Sequence, residues 1–203
     1  MKRLLDLIFV FIGVILFSPI LILMVLITMI CIIIEDGFPV LYSQKRLGFN
    51  RNEFELFKFR SMIKDAEKET GPVWASKSDD VRLTKTGKFI RKYAIDEIPQ
   101  LINILRGDIS IVGPRPERPE LYKKFLKGNL PYEKRLNAPQ GLTGLAQLLG
   151  SYDTLPKNKL RYDLLYIKNQ SLCLDMKIIF FSVLVTIIGN WQTDSRQWVK
   201  KFF

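Results

Sequence analysis

The sequence predicts a mainly helical α+β protein in which a membrane-embedded N-terminal helix leads into a compact domain of short strands and amphipathic helices. Three observations carry this expectation. The run from Leu7 to Ile34 holds about 28 residues and no charge. Just beyond it, side chains alternate between apolar and polar at a period of two. Later segments return to the three-to-four spacing of helices that bury one face. Residues 1–34 are therefore expected to form an anchor and residues 35–203 a single compact domain.

As one helix the apolar run would reach ~42 Å, more than the ~30 Å hydrocarbon core of a bilayer. It is about twice as long as the apolar core of a cleaved signal peptide, so a retained anchor is expected. Ser18 and Pro19 fall near its middle. Proline removes a helical donor and its ring crowds the carbonyl four residues back, and a neighbouring serine hydroxyl can bond a carbonyl so freed. A bend is expected there. The halves on either side, Leu7 to Phe17 and Ile20 to Ile34, would measure ~16 and ~23 Å, neither enough to cross alone. Lys2 and Arg3 precede the run and all other Lys and Arg follow it, so both flanks suit the cytoplasmic side. A re-entrant hairpin meets these conditions, and a single tilted span with a tolerated proline also fits the residues.

"PVLYSQKRLG" reads as a strand and turn. "NEFELFKFRSM" reads as a second strand with Phe54, Leu56, Lys58 and Arg60 on one face, which aligns two cations. "SMIKDAEKETGP" is expected to be a short helix ended at Gly71-Pro72, and "GPVWASKSDDVRLTKTG" a polar loop. "GKFIRKYA" resumes helical spacing through Phe89, Ile90 and Tyr93, with Arg91 on another face. In "YAIDEIPQLINIL", Ile98, Leu101, Ile102 and Leu105 mark a helix whose first turn tolerates Pro99 and whose stop is Gly107. Asp96 then lies at or near its N-cap. An Asp-Glu pair there is explained by capping and the helix dipole alone, without chemistry. The strand of "GDISIVGPRPERPELYKKFL" runs into Pro114-Arg115-Pro116, where two prolines stiffen the loop that presents a guanidinium suited to phosphate. A rigid turn with a solvated arginine fits the same residues.

The C-terminal run "LRYDLLYIKNQSLCLDMKIIFFSVLVTIIGNW" reads as two helices joined by a turn, with Asp163 and Asp175 as caps, core-edge groups or supports of a site. Its apolar stretch Ile178 to Ile188, ~17 Å as a helix, is too short to span and is expected in the core or at a membrane interface.

Composition restricts the chemistry. The chain has no histidine, which excludes imidazole bases and His-ligated zinc. Cys31 and Cys173 are expected to be buried packing residues. A net charge of +11 points to an anionic partner: nucleic acid, acidic lipid or a phosphate substrate.

In their order along the chain, the Ser18-Pro19 helix, "EDGFPVLYSQKRLGFNRNEFELFKFRSM", "AIDEIPQLINILRGDISIVGPRPE", "APQGLTGLAQ" and "YDLLYIKNQSLCLDMKIIF" resemble the monotopic phosphoglycosyl transferases, bacterial enzymes that prime glycan assembly on polyprenyl phosphate. The resemblance implies a re-entrant N-terminal helix in the bacterial inner membrane and a catalytic domain on its cytoplasmic face. It implies transfer of a sugar 1-phosphate from a nucleotide diphosphate sugar, commonly a UDP-sugar, to polyprenyl phosphate. By the same resemblance Asp96 is the nucleophile, Glu97 a Mg²⁺ ligand and Arg115 a phosphate contact. Membrane lipid is then a partner, nucleic acid is not, and a homodimer is allowed. With no large domain expected before the anchor, the chain reads as a compact catalytic unit.

The chemistry suits the composition, because a carboxylate nucleophile and an anionic phosphate acceptor need no base. Lys58, Arg60, Arg91 and Arg135 are further phosphate candidates, equally readable as solvated or paired cations. Gln140 and Leu145 depart from the Pro-Gly and Trp common in the family, which leaves the sugar open. The contrasting reading is a non-catalytic, membrane-anchored basic module that binds nucleic acid or lipid. A phosphodiester hydrolase with water as acceptor is a third.

Overall fold

The computed structural model describes residues 2–68, 71, 80–125, 130–150, 156–189, 191 and 194–203. Helix α1 (Lys2–Asp36) is followed by an antiparallel hairpin of β1 (Leu41–Leu47) and β2 (Glu53–Phe59), in which Tyr42 faces Lys58 and Leu47 faces Glu53. Then come α2 (Lys85–Lys92), a 3-10 turn (Ile95–Glu97), α3 (Gln100–Arg106) and β3 (Ser110–Val112). Two short helices, α4 (Pro119–Phe125) and α5 (Leu130–Glu133), lead to β4 (Gly141–Thr143), which pairs in parallel with β3. Helices α6 (Leu145–Leu149), α7 (Pro156–Lys168) and α8 (Leu172–Ile188) and a 3-10 segment (Asp194–Phe202) complete the chain. The α+β class and the two-strand hairpin agree with the alternation in the sequence.

Helix α1 continues through Pro19. The hydroxyl of Ser18 donates to the carbonyl of Ile15 at 3.1 Å, the acceptor that an N–H at position 19 would have used. Only Asp6, Val10, Thr28 and Ile32 of this helix are buried, and all the large apolar side chains from Phe11 to Leu23 except Leu21 are exposed. Both ends are held by the domain. Asp6 accepts from Ser110 Oγ at 2.8 Å and from the Ile111 amide at 3.2 Å, and Lys2 pairs with Asp175 at 2.5 Å. At the other end Glu35 accepts from the amides of Lys85 and Thr86 at 2.6 and 2.8 Å, satisfying donors at the start of α2.

The main core joins Val112, Leu145, Leu148, Tyr166, Ile178 and Val185. Helix α8 divides its apolar surface: Ile178, Phe181 and Val185 are buried, while Phe180, Val183 and Ile187 are exposed. At the junction with the anchor, Ile32 and Val40 cluster with Phe59 and Ile90, and Val10 clusters with Leu56 and Ile104.

Three expectations change. Residues 64–68 form turns rather than a helix, because Asp65 is in the left-handed region (φ 55°), which a helix cannot propagate. The polar loop through residues 72–79 lies outside the described residues. Asp96 is not an N-cap: it sits inside the 3-10 turn entered through left-handed Ala94, and Pro99 occupies the cap position of α3. Cys31 and Cys173 are exposed, since each lies on the outer face of a helix that is apolar nearly all round.

Candidate active site

The turn Ile95–Glu97 lifts two adjacent carboxylates into one end of a cavity of about 1220 Å³. Asp96 is 4% exposed. Among the described residues its carboxylate accepts no hydrogen bond, and the nearest ion-pair partner is Lys58 Nζ at 4.0 Å. Glu97 is held firmly. Lys58 Nζ and Arg115 Nη2 donate to the same oxygen, Oε1, at 2.7 and 2.6 Å. Oε2 accepts no hydrogen bond among the described residues, so one carboxylate oxygen is left for a further cation.

Burial pushes the Asp96 carboxyl up, and the charge on Glu97 adds to this, against the pull of Lys58, Arg91 and Arg115. Burial also opposes the charge on Glu97, but Arg115 and Lys58 outweigh it and hold that carboxyl well below the usual range. The two carboxylates thus differ in character, one ionised and committed to cations, the other poorly solvated and unbonded. Burial pushes the Lys58 ammonium down, and Glu97 only partly offsets it.

The Arg115 loop is braced from behind. Arg135 Nη2 donates to the carbonyl of Arg115 at 2.8 Å, and Arg46 Nη1 donates to the carbonyl of Pro116 at 3.0 Å. Gly113 packs so closely that a Cβ would stand 2.2 Å from the Pro139 carbonyl oxygen, so only glycine fits at the root of the loop. Arg115 itself keeps 43% of its side chain exposed to the cavity.

The remaining sequence candidates separate. Arg91 lines the cavity and donates to Ser61 Oγ at 2.9 Å. Arg60 follows β2 rather than lying within it and turns to the end of α1, donating to the carbonyls of Asp36 and Gly37 at 2.9 and 2.6 Å. Arg60 lines the cavity with Lys58, as the alternation predicts, while its hydrogen bonds go to the carbonyls at the helix end. Arg135 is buried in the wall, 2.9 Å from Asp163 and 3.2 Å from Glu117. Burial raises the Asp163 carboxyl to about 6 against the pull of Arg135. Asp175 accepts from the Tyr166 hydroxyl and Lys2, which ties it to the start of α1.

Sequence reasoning missed Arg46, Arg118 and Asn103. Asn103 is fully buried and accepts from the Phe57 amide while donating to the Glu55 carbonyl, so it fixes α3 against β2 beside Lys58. Helical spacing hides it, since it falls on the face between two apolar residues. Arg118 forms a two-pronged pair with Glu67 at 2.7 Å. The repeated "RP" of "GPRPERPE" was the available signal for it.

The two carboxylates fit a Mg²⁺ site, which needs one or two protein carboxylates with substrate phosphates completing the shell. Among the described residues no group of three or more potential ligands occurs.

The chain matches the family described as bacterial sugar transferase over residues 1–189. It is 37% identical over 193 residues to the UDP-N-acetylgalactosamine-undecaprenyl-phosphate N-acetylgalactosaminephosphotransferase of Aeromonas hydrophila, covering 93% of this chain and 44% of that protein. It is 40% identical over 197 residues to the UDP-glucose:undecaprenyl-phosphate glucose-1-phosphate transferase of Klebsiella pneumoniae, covering 93% and 40%. It is 33% identical over 198 residues to the exopolysaccharide production protein ExoY of Sinorhizobium fredii, covering 90% and 83%. The chain thus spans less than half the length of the first two relatives.

Proposed function

Because the chain belongs to the bacterial sugar transferase family, we propose that it moves a sugar 1-phosphate from a UDP-sugar to a polyprenyl phosphate such as undecaprenyl phosphate, through a covalent intermediate on Asp96. The observation that carries this reading is the contrast within the dyad: Asp96 unbonded and facing the cavity, Glu97 fixed by Lys58 and Arg115.

In the first half-reaction an Asp96 oxygen bonds to the sugar-linked phosphorus. The bond from that phosphorus to the bridging oxygen breaks, and its electron pair leaves with the nucleoside monophosphate. No proton moves. In the second half-reaction a phosphate oxygen of the polyprenyl phosphate attacks the same phosphorus and Asp96 departs as carboxylate. Arg115 and Lys58 place positive charge where negative charge gathers, a preorganised contribution that needs no rearrangement during the step. Glu97 Oε2 and Asp96 would hold Mg²⁺ with the donor phosphates. The ion would lower the repulsion between the carboxylate and the diphosphate.

The cavity is polar near Arg115 and Arg118 and apolar toward Ile179, Val183 and Ile187, whose helix exposes an apolar face. A lipid acceptor carrying its phosphate at headgroup depth suits that gradient. Support for a re-entrant α1 comes from packing distances. A straight helix would separate Val10 from Ile32 by ~33 Å, yet they cluster with Leu56 and Phe59, only ~10 Å apart along β2. A bend that returns both ends to one domain reconciles the two lengths. Such a bend would keep residues 35–203 on one membrane face, and the flanking charges favour the cytoplasmic face of the inner membrane.

The relatives' names differ in the sugar, so a panel of UDP-sugars is the test. With polyprenyl phosphate and Mg²⁺, at least one should release uridine monophosphate, and Asp96→Asn should release none. Release without any lipid acceptor, at the same steady rate, would instead indicate a hydrolase.

A further inference from the structure

Arg46 is the cavity guanidinium for which the dyad chemistry has no use. It lies on β1, and the hydrogen bonds it donates go to neutral acceptors, the Pro116 carbonyl at 3.0 Å and Gln44 Oε1 at 2.6 Å. Its Nε is buried without a partner, and among the described residues no carboxylate comes within 4.0 Å of it. Its neighbours are treated differently. Arg115 pairs with Glu97 at 2.6 Å, Arg118 with Glu67 at 2.7 Å and Arg135 with Asp163 at 2.9 Å. The carboxylate that acts on it, Glu117, is already engaged by Tyr132 and Arg135.

A cation withdrawn from water without a counter-ion is costly. Here burial and the charge of Arg115 push Arg46 down to about 10, with Arg118 adding to the effect and Glu117 only partly opposing it. Bracing Pro116 would not require a charge, because a neutral amide donates to a carbonyl equally well. A site that receives an anion does require one. Arg46, Arg115 and the dyad line the same cavity.

We propose that Arg46 binds the second phosphate of the donor diphosphate, the one that leaves with the nucleoside, while Arg115 attends the phosphate that is transferred. This rests on the sugar-1-phosphate transfer reading. As the bond to the bridging oxygen breaks, the departing monophosphate gains one negative charge. A fixed guanidinium beside it stabilises that charge without giving up a proton, which makes Arg46 a leaving-group contact.

The test uses the full chain in detergent and titrates uridine monophosphate, which carries the leaving phosphate and no transferable one. Arg46→Gln should weaken its binding by about tenfold or more, the loss expected for one charge-assisted contact. The kcat/KM for polyprenyl phosphate should stay within about twofold, because the monophosphate has left before the acceptor reacts. Arg46→Lys keeps the charge without the planar fork and should lose affinity by a smaller factor. It carries the test if the glutamine variant does not fold. Unchanged monophosphate affinity in both variants, or an equal loss for monophosphate and lipid acceptor, would overturn the assignment and leave Arg46 a brace. If the wild-type chain releases no monophosphate from any UDP-sugar yet binds it through Arg46, the transfer reading fails and the anion site stands.

Discussion

Arg115 and Glu97 form a 2.6 Å ion pair across eighteen residues of sequence, and this pair joins the proline-stiffened loop to the turn that carries the dyad. Lys58 reaches the same Glu97 oxygen from β2. Three separate elements are thereby registered on one carboxylate, which fixes the position of Asp96 without bonding it.

Glu97→Gln keeps an acceptor oxygen but removes the negative charge that pairs with Lys58 and Arg115 and one of the two carboxylates proposed to hold Mg²⁺. Monophosphate release should fall by about a hundredfold or more, the scale on which a preorganised electrostatic group acts. The partly exposed cluster should lose about 1–2 kcal/mol of stability. Steady-state assay and thermal denaturation check the two parts. In the wild type, removing Mg²⁺ with a chelator should abolish release, and adding it back should restore activity.

The pH profile should report Asp96. Its carboxyl is raised by burial, so the folded protein, without a metal ion, binds that proton more tightly than a free aspartate. The nucleophilic form is lost as pH falls. Single-turnover monophosphate release should show an acidic limb that follows Asp96, which burial and Glu97 push up and the surrounding cations pull down. Lys58→Met, which removes a cation that favours the ionised form, should move the limb to higher pH. A shift to lower pH would contradict the assignment.

Arg135 and Asp163 are both nearly fully buried, with 3% and 2% of their side chains exposed. Asp163→Ala leaves the guanidinium with Glu117 alone and should cost about 3–5 kcal/mol in chemical denaturation. The double change Arg135→Met, Asp163→Leu should be less destabilising than the single one, because it removes the buried charge with its partner. Activity should still fall in the double variant, since the Arg115 carbonyl loses its brace.

Membrane topology can be read by labelling. With Cys31 and Cys173 replaced by alanine, single cysteines at the exposed positions Leu4 and Phe38 should both react from the cytoplasmic side. Reaction of the two positions from opposite faces of intact membranes would reject the re-entrant arrangement.

The sequence disclosed features whose cause is local. Alternation in "NEFELFKF" specified β2, the apolar run specified α1, and two prolines marked the Arg115 loop. It did not disclose what depends on distant partners. Arg60 lines the cavity with Lys58, but its bonds to the carbonyls at the end of α1 leave no trace in the alternation. Asp96 looked like a helix cap until left-handed Ala94 placed it inside a 3-10 turn. Arg46 gave no signal at all, because a lone arginine in a strand is ordinary until its neighbours are known to be arginines too. Lys2 and Asp175 meet across 173 residues, a pairing that leaves no periodic trace.

Every step of the proposed reaction depends on Asp96 carrying the phosphosugar between the two half-reactions. Mixing the protein with a competent UDP-sugar and Mg²⁺ in the absence of polyprenyl phosphate isolates that intermediate, and intact and peptide mass spectra then read it. The expected result is a burst of about one uridine monophosphate per protein and a mass gain of one sugar phosphate on the peptide containing Asp96, removed when the lipid phosphate is added. An unmodified protein that nevertheless transfers sugar phosphate when both substrates are present would contradict the covalent route.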